Sequence, residues 1–343
     1  MKVCLAEGKS DASLWDQFVE EHCECTNCHR WAWKRVIETS LRWPTFYLIA
    51  GEAPRITGIL PLVWQKSRMF GSFLTSMPFL NAGGIVGEDK EAKDALLAEA
   101  IKLAKQLRVK YLELRQRGGS GLDLPMKMHK VAMVLPLQAE AETMWSSLPH
   151  KVRTDVRKAM NSGLMSEFGG EELLSDFYEV FARNMRELGT PVYSQAFFSA
   201  ILKNFPTDSY ICVVRHDGRA VATSFLTGYR QTLEAVWSSS LYDYIHLKPN
   251  MFLYWKIVCF AGERGYQFFD FGRSSLGSGT HRFKKQWGTQ EIPLYWAYWV
   301  PDGNPLPELN KENVRYRFAI KLWQKLPLPL TKLIGPAIVR CLP

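Results

Sequence analysis

The residue types best suited to chemistry fall between residues 270 and 288. Asp270-Phe271-Gly272-Arg273-Ser274-Ser275-Leu276-Gly277-Ser278-Gly279-Thr280 places one carboxylate, one guanidinium, three glycines and four hydroxyls within eleven residues. It starts where an apolar strand, Gln267 to Phe271, ends. A loop of this composition turns backbone N–H groups toward an anion or a developing oxyanion. Phe283-Lys284-Lys285-Gln286-Trp287-Gly288 follows, with two lysines between aromatics. The two lysines, Lys284 and Lys285, can place a cation beside developing negative charge, and Asp270, Asp243 and His246 are candidate proton acceptors. Gly272, Arg273, Ser274, Gly277, Gly279, Thr280, Phe283, Lys285 and Trp287 are the accompanying binding candidates. The loop lacks the Gly-Lys-Ser/Thr ending of a nucleotide P-loop, and no helical pattern follows it directly. Each segment alone also fits a solvated loop, so their order after a strand carries the reading.

A third cluster is basic. In His150-Lys151-Val152-Arg153-Thr154-Asp155-Val156-Arg157-Lys158, a helix puts Arg153 and Arg157 on one face, four residues apart. With Lys158 they suit a phosphate, which guanidinium binds in a two-pronged way. A solvated basic helix is the plain alternative. The run His22-Cys23-Glu24-Cys25-Thr26-Asn27-Cys28-His29 has soft-metal ligand types, but no second Cys-x-x-Cys completes a zinc site. Reduced thiols and no metal are the expectation there. No Gly-x-Ser-x-Gly or acidic metal cluster is present.

The elements that would hold these residues occur twice. Strands are expected at 46–50, 56–64, 72–76 and 83–86, a helix at 91–107 and a strand at 111–115. Strands at 210–214, 220–228 and 233–239, a helix at 249–263 and a strand at 267–271 repeat that order. Asp217-Gly218 marks a hairpin turn in the second block. Helices near 11–21 and 31–40 precede the first block, and helices at 171–188 and 194–204 precede the second. The pattern predicts a duplicated α/β (α+β) unit. Domains are expected at 1–140 and 141–300, followed by a tail at 301–343.

The 343 residues are 47 % hydrophobic and 13 % aromatic, enough for two cores. The first residues lack the apolar run of a secretory signal, and no stretch spans a bilayer, which predicts a cytoplasmic protein with reduced cysteines. Of the formal charge of +9, most lies in residues 311–343, where 7 Lys or Arg stand against 1 Glu. A near-neutral body argues against DNA binding. The basic tail, interleaved with Phe318, Leu322, Trp323, Leu326, Leu328 and Leu330, suits either peripheral contact with the inner face of the membrane or packing on the body.

These segments resemble a known family. Arg153-Thr154-Asp155-Val156-Arg157-Lys158-Ala159 with Gly163, the helix from Phe177 to Pro191, Phe269-Asp270-Phe271-Gly272 and Phe283-Lys284-Lys285-Gln286-Trp287-Gly288 are similar to the second domain of FemAB-type proteins. The similarity covers about 145–298. The run Arg264 to Arg273 and the ending Leu326-Pro327-Leu328-Pro329-Leu330 resemble the FemAB-related proteins of PEP-CTERM/exosortase and exopolysaccharide systems. The resemblance implies two GNAT-like domains, each a mixed, mostly antiparallel sheet flanked by helices. It implies N-acyl transfer to an amine on a small or lipid-linked acceptor, with no tightly bound cofactor. The donor is then acyl-CoA, an acyl carrier or aminoacyl-tRNA, and Lys284 lies near the reacting carbonyl. The chain lacks the helical hairpin that some members place near tRNA. A non-catalytic module that binds a phosphorylated glycolipid or nucleotide sugar at the membrane is the alternative.

Overall fold

A computed structural model describes residues 1–67, 71–119, 121–301, 305–306 and 314–340. In chain order the strands are β1 (Val3–Leu5), β2 (Thr45–Glu52), β3 (Arg55–Ser67), β4 (Gly71–Thr75), β5 (Val86–Gly87), β6 (Leu112–Arg117), β7 (Met126–Pro136), β8 (Met165–Gly169), β9 (Ser209–His216), β10 (Arg219–Tyr229), β11 (Thr232–Ser240), β12 (Phe268–Ser275) and β13 (Gln290–Trp299). The helices are α1 (Gly8–Glu21), α2 (Ala32–Val36), α3 (Lys90–Gln106), α4 (Ala141–Ser147), α5 (His150–Met160), α6 (Leu174–Glu187), α7 (Gln195–Asn204), α8 (Pro249–Glu263), α9 (Gly279–Lys285), α10 (Val314–Lys325) and α11 (Leu328–Val339).

The chain forms two compact units. One comprises Met1–Val131, Ile292–Leu309 and Arg340–Pro343, the other Ala132–Glu291 and Asn310–Val339. The sequence-based border lay at 140/141; the chain crosses from the first unit to the second inside β7 and crosses back at the start of β13. The residues before 314 and after 340 in the expected tail lie outside the described ones, apart from Pro301, Pro305 and Leu306.

In the first unit the strand order is β1-β2-β3-β4-β6-β13, with β5 on β3. All neighbours are antiparallel except β4 and β6, which run parallel over Leu74↔Leu112 and Thr75↔Glu113. Helix α3 makes that parallel connection. Asp89 caps its N-terminus by accepting from Ala92 N–H at 2.8 Å. Its small, four-spaced face (Ala92, Leu96, Ala100, Ala104) is fully buried with Leu48, Leu60, Leu62 and Leu112. Gly58 is required in β3, because a Cβ there would stand 3.0 Å from Leu96 Cδ1 and from Val86 O.

The second unit orders its strands β12-β11-β10-β9-β8. The hairpin between β9 and β10 turns on Asp217 (φ 48°) and Gly218 (φ 78°), the left-handed pair a two-residue turn needs. Helix α8 links β11 to β12, which run parallel over Thr232↔Phe268, Leu233↔Phe269 and Glu234↔Asp270. It is apolar almost all round and buried from Met251 to Tyr254 and again at Ile257, Val258 and Ala261, because it packs on the sheet and on α5. On the other face α6 and α7 bury Phe177, Phe181 and Phe198 against Phe225 and Trp237. The mostly antiparallel, duplicated α/β fold expected from the repeat is the fold observed, and the four-strand block with one parallel pair is present twice.

Candidate functional site

The site in the second unit is built where two parallel strands part. Between β10 and β11 the register slips from Phe225↔Trp237 to Leu226↔Ala235, leaving Val236 as an extra residue on β11. Such a bulge bends the strand that carries it. It comes two residues after Glu234, the last residue of β11 paired with β12. Beyond it β12 continues through Phe271, Gly272 and Arg273 to Ser275.

Alternation along β12 sorts its side chains onto two faces. Phe269 and Phe271 turn to the α8 side and join Tyr254, with Phe271 4.8 Å from Tyr254 between ring centroids. Asp270, Gly272 and Ser274 belong to the opposite face. Gly272 sits at φ 75°, and a Cβ there would stand 2.8 Å from Ala235 O, so only glycine lets β12 pass β11 at this point. Asp270 is 1 % exposed, and its Oδ1 accepts from Gly272 N–H at 2.8 Å.

Lys284 closes the constellation. The stretch 276–285 is not all loop: Ser278 caps a short helix, α9, by accepting from His281 N–H at 3.2 Å. This corrects the expectation that no helix follows the Gly/Ser segment. Helix α9 packs on β12 and turns Lys284 inward, 8 % exposed, where Nζ donates to Gly272 O and Arg273 O at 3.0 Å each. Burial lowers the Lys284 pKa to about 8; Asp270 and Glu234 pull it back up, and Arg273 pushes it further down. Two carbonyl dipoles and the charges of two carboxylates hold this cation.

The remaining candidates divide. Ser274 lies buried beside this centre, its Oγ without a partner, as is the Oγ of Ser239 on β11. Phe283 and Trp287 pack on Tyr254 and Phe271, and Trp287 is 1 % exposed, so both are core residues that hold α9 in place. Gly277, Gly279, Thr280 and Lys285 are exposed; Lys285 reaches Glu291 at 2.8 Å. Arg153, Arg157 and Lys158 lie on α5. Arg153 is half-buried, its Nε without a partner, while Arg157 is exposed over the Trp145 ring at 5.3 Å. Asp155, between them, holds Lys248. Asp243 pairs with Arg183 in the segment after β11.

The sequence reading missed Glu234. Its signal was available in the repeat: once β11 is set beside β12, the residue opposite Asp270 is a second carboxylate. It also missed the hydroxyl chain in which Ser224 and Ser238 lie 2.8 Å apart and Ser238 meets Tyr254. In the cysteine segment no group of three or more potential metal ligands assembles among the described residues. Both ring nitrogens of His29 are engaged: Nδ1 accepts from Thr26 N–H at 3.0 Å, so Nε2 carries the proton donated to Gly84 O at 3.1 Å.

Comparison with known proteins bears on this architecture. Residues 150–285 match the family model described as acetyltransferase (GNAT) domain. Among curated proteins, none matches the sequence. Among solved structures, FemX aligns over 88 % of this chain and 98 % of its own, with 15 % identity and a TM-score of 0.66. The C-terminal domain of an Agrobacterium fabrum protein assigned as lysylphosphatidylglycerol synthetase aligns over 84 % and 91 %, with 13 % identity and a TM-score of 0.58. A tandem GNAT protein from the clavulanic acid biosynthesis pathway aligns over 88 % and 100 %, with 10 % identity and a TM-score of 0.55. With the GNAT model matching residues 150–285 and tandem folds aligning over 88 % of the chain, this chain has the tandem GNAT fold.

Proposed function

We propose that the second unit transfers an acyl or aminoacyl group from an activated ester or thioester to an amine. The observation that carries this reading is Lys284, a buried cation held by two carbonyls where β11 and β12 part. The amine nitrogen attacks the donor carbonyl carbon, a C–N bond forms, and the carbonyl oxygen becomes an oxyanion. Lys284 turns from the Gly272 and Arg273 carbonyls to that oxygen, and Ser274 Oγ offers a further hydrogen bond. Collapse expels the alkoxide or thiolate, and the proton lost by the amine ends on that leaving group. Asp270 is too enclosed to meet an incoming amine; it holds Gly272 and supports the charge on Lys284. Arg273, Arg153 and Arg157 bind phosphate of donor or acceptor.

The match to a GNAT domain supports acyl-CoA as donor, and the sequence resemblance to FemAB-type proteins supports an aminoacyl donor. The exposed Phe318 and Leu322 of α10, interleaved with Lys321 and Lys325, support an acceptor met at an anionic membrane surface. A cell-envelope or exopolysaccharide setting rests on the sequence resemblance. The test incubates the protein with labelled acetyl-CoA, acyl-carrier protein and aminoacyl-tRNA in the presence of amine acceptors. Turnover of one donor, lowered about 10²–10³-fold in Lys284→Ala, is expected from the loss of one oxyanion donor. Turnover that survives both Lys284→Ala and Arg273→Ala unchanged sinks the reading, and turnover of none of the donors favours the non-catalytic module.

A further inference from the structure

The first unit carries its own counterpart of the Lys284 centre. In both units the second strand of the parallel pair presents a buried acid one residue past a shared apolar pair: Glu113 after Leu112 and Asp270 after Phe269. Two residues later stand Arg115 and Gly272. Each acid is coupled to a buried cation. In the first unit Arg115 Nε donates to Glu113 Oε1 at 2.7 Å, its NH1 donates to Leu80 O at 3.1 Å, and its guanidinium lies 4.5 Å from the Trp296 ring centre.

At that point a cavity of about 260 Å³ opens, lined wholly by first-unit residues. Its wall carries Lys93, Arg115 and Arg117 against one carboxylate, Glu24. Glu24 holds Lys93 at 2.9 Å and Glu113 holds Arg115. His29 adds no charge, because burial lowers its pKa to about 4. Gln116 is 8 % exposed, and its side-chain Nε2 has no hydrogen-bond partner. Its amide lies flat over Gly84, where a Cβ would stand 2.4 Å from it, so Gly84 is what admits Gln116 to the cavity wall. A buried amide N–H left unpaired costs stability unless a partner arrives. The space is small for a binding site, below the usual range of about 300–1,000 Å³ for drug-sized ligands.

We infer that this cavity is a second ligand site, taking a small oxyanion, a carboxylate or phosphate group, that accepts from Gln116 Nε2 in the field of Lys93 and Arg117. It is independent of acyl transfer at Lys284. The experiment titrates the full chain with inorganic phosphate and, separately, with succinate. Calorimetry reads affinity, and the Gln116 side-chain amide resonances report the site. Saturable binding of one probe per chain, with those resonances shifted, is expected. Gln116→Leu should weaken it by roughly 10- to 100-fold, as expected for a hydrogen bond to a charged group. Arg117→Gln, nearer the surface, should weaken it several-fold and decides the matter if the leucine variant fails to fold. Lys284→Ala should bind as the wild type does, so a failed transfer assay leaves this result standing. Preference for phosphate or for succinate identifies the source of the oxyanion. Saturation by neither, or unchanged affinity in the Gln116 and Arg117 variants, overturns the inference.

Discussion

Replacing Lys284 by methionine removes the buried ammonium and keeps most of the stem. In the folded wild type, burial brings the Lys284 pKa down from 10.5 to about 8. The unfolded chain keeps the ordinary value. Between these two the unfolded chain binds more protons than the folded one, so wild-type stability is greatest above the upper value and is lost as the pH falls through the lower one. At 1.36 kcal/mol per pH unit, the whole change amounts to about 3 kcal/mol. Most of it, about 2–3 kcal/mol, falls between roughly pH 7 and pH 10. The methionine variant has no such group, and the titrations not coupled to Lys284 cancel in the difference. Denaturant unfolding of both at these two pH values should therefore show the wild type gaining about 2–3 kcal/mol on the variant. Parallel stability curves would refute a buried, depressed Lys284. The same titration predicts that transfer activity falls along a basic limb centred near pH 8, since the neutral amine stabilises an oxyanion poorly.

Gly272→Ala should cost about 1–3 kcal/mol, because φ is 75° and the new Cβ meets Ala235 O at 2.8 Å. Gly279→Ala, with open space around it, should stay within about 0.5 kcal/mol; thermal melts compare the two. His29, with its pKa lowered to about 4 by burial, should remain neutral with the proton on Nε2 well below its ordinary value, so stability is lost as pH falls from 6.5 through about 4. A nitrogen NMR titration with a midpoint near 6.5 would contradict this. Thiol modification should be fast at the exposed Cys4 and Cys23 and absent at Cys212, whose thiol burial pushes far up, until the chain unfolds. Full-length protein should co-float with vesicles rich in anionic lipid, and Phe318→Ser with Leu322→Ser should abolish this, while binding to neutral vesicles alone would contradict the role of Lys321 and Lys325.

Much of the architecture was legible locally. The four-spaced alanines and leucines of α3 and the Asp217-Gly218 turn are signals carried by neighbouring residues. So was the repeat, because each block repeats its own periodicities. Short or amphiphilic pieces were not: β1 has three residues, β8 is an edge strand with no buried residue, and β13 reads as a run of aromatics with no turn to mark it. Helix α9, with seven residues, is set by its Ser278 cap and by Phe283 packing, not by propensity.

The candidate site shows the same division. Asp270, Gly272 and Arg273 could be named from residue type and order, and Lys284 from the family resemblance. That Lys284 is buried against two carbonyls, and that Trp287 is core, depended on α9 folding back over β12. Glu234 joined the site only through the parallel register of β11 on β12, set by partners 36 residues apart in sequence. Gln116 gave no signal at all, since an amide has no charge pattern to read. Its meaning comes from burial, from Gly84 lying beneath it and from the missing partner at Nε2. The sequence by itself determined the long periodic elements and most of the chemistry-bearing groups they carry, because those follow from periodicity and residue type along the chain. Only the tertiary structure decided which groups lose water and face one another, because desolvation and register arise from contacts between distant segments.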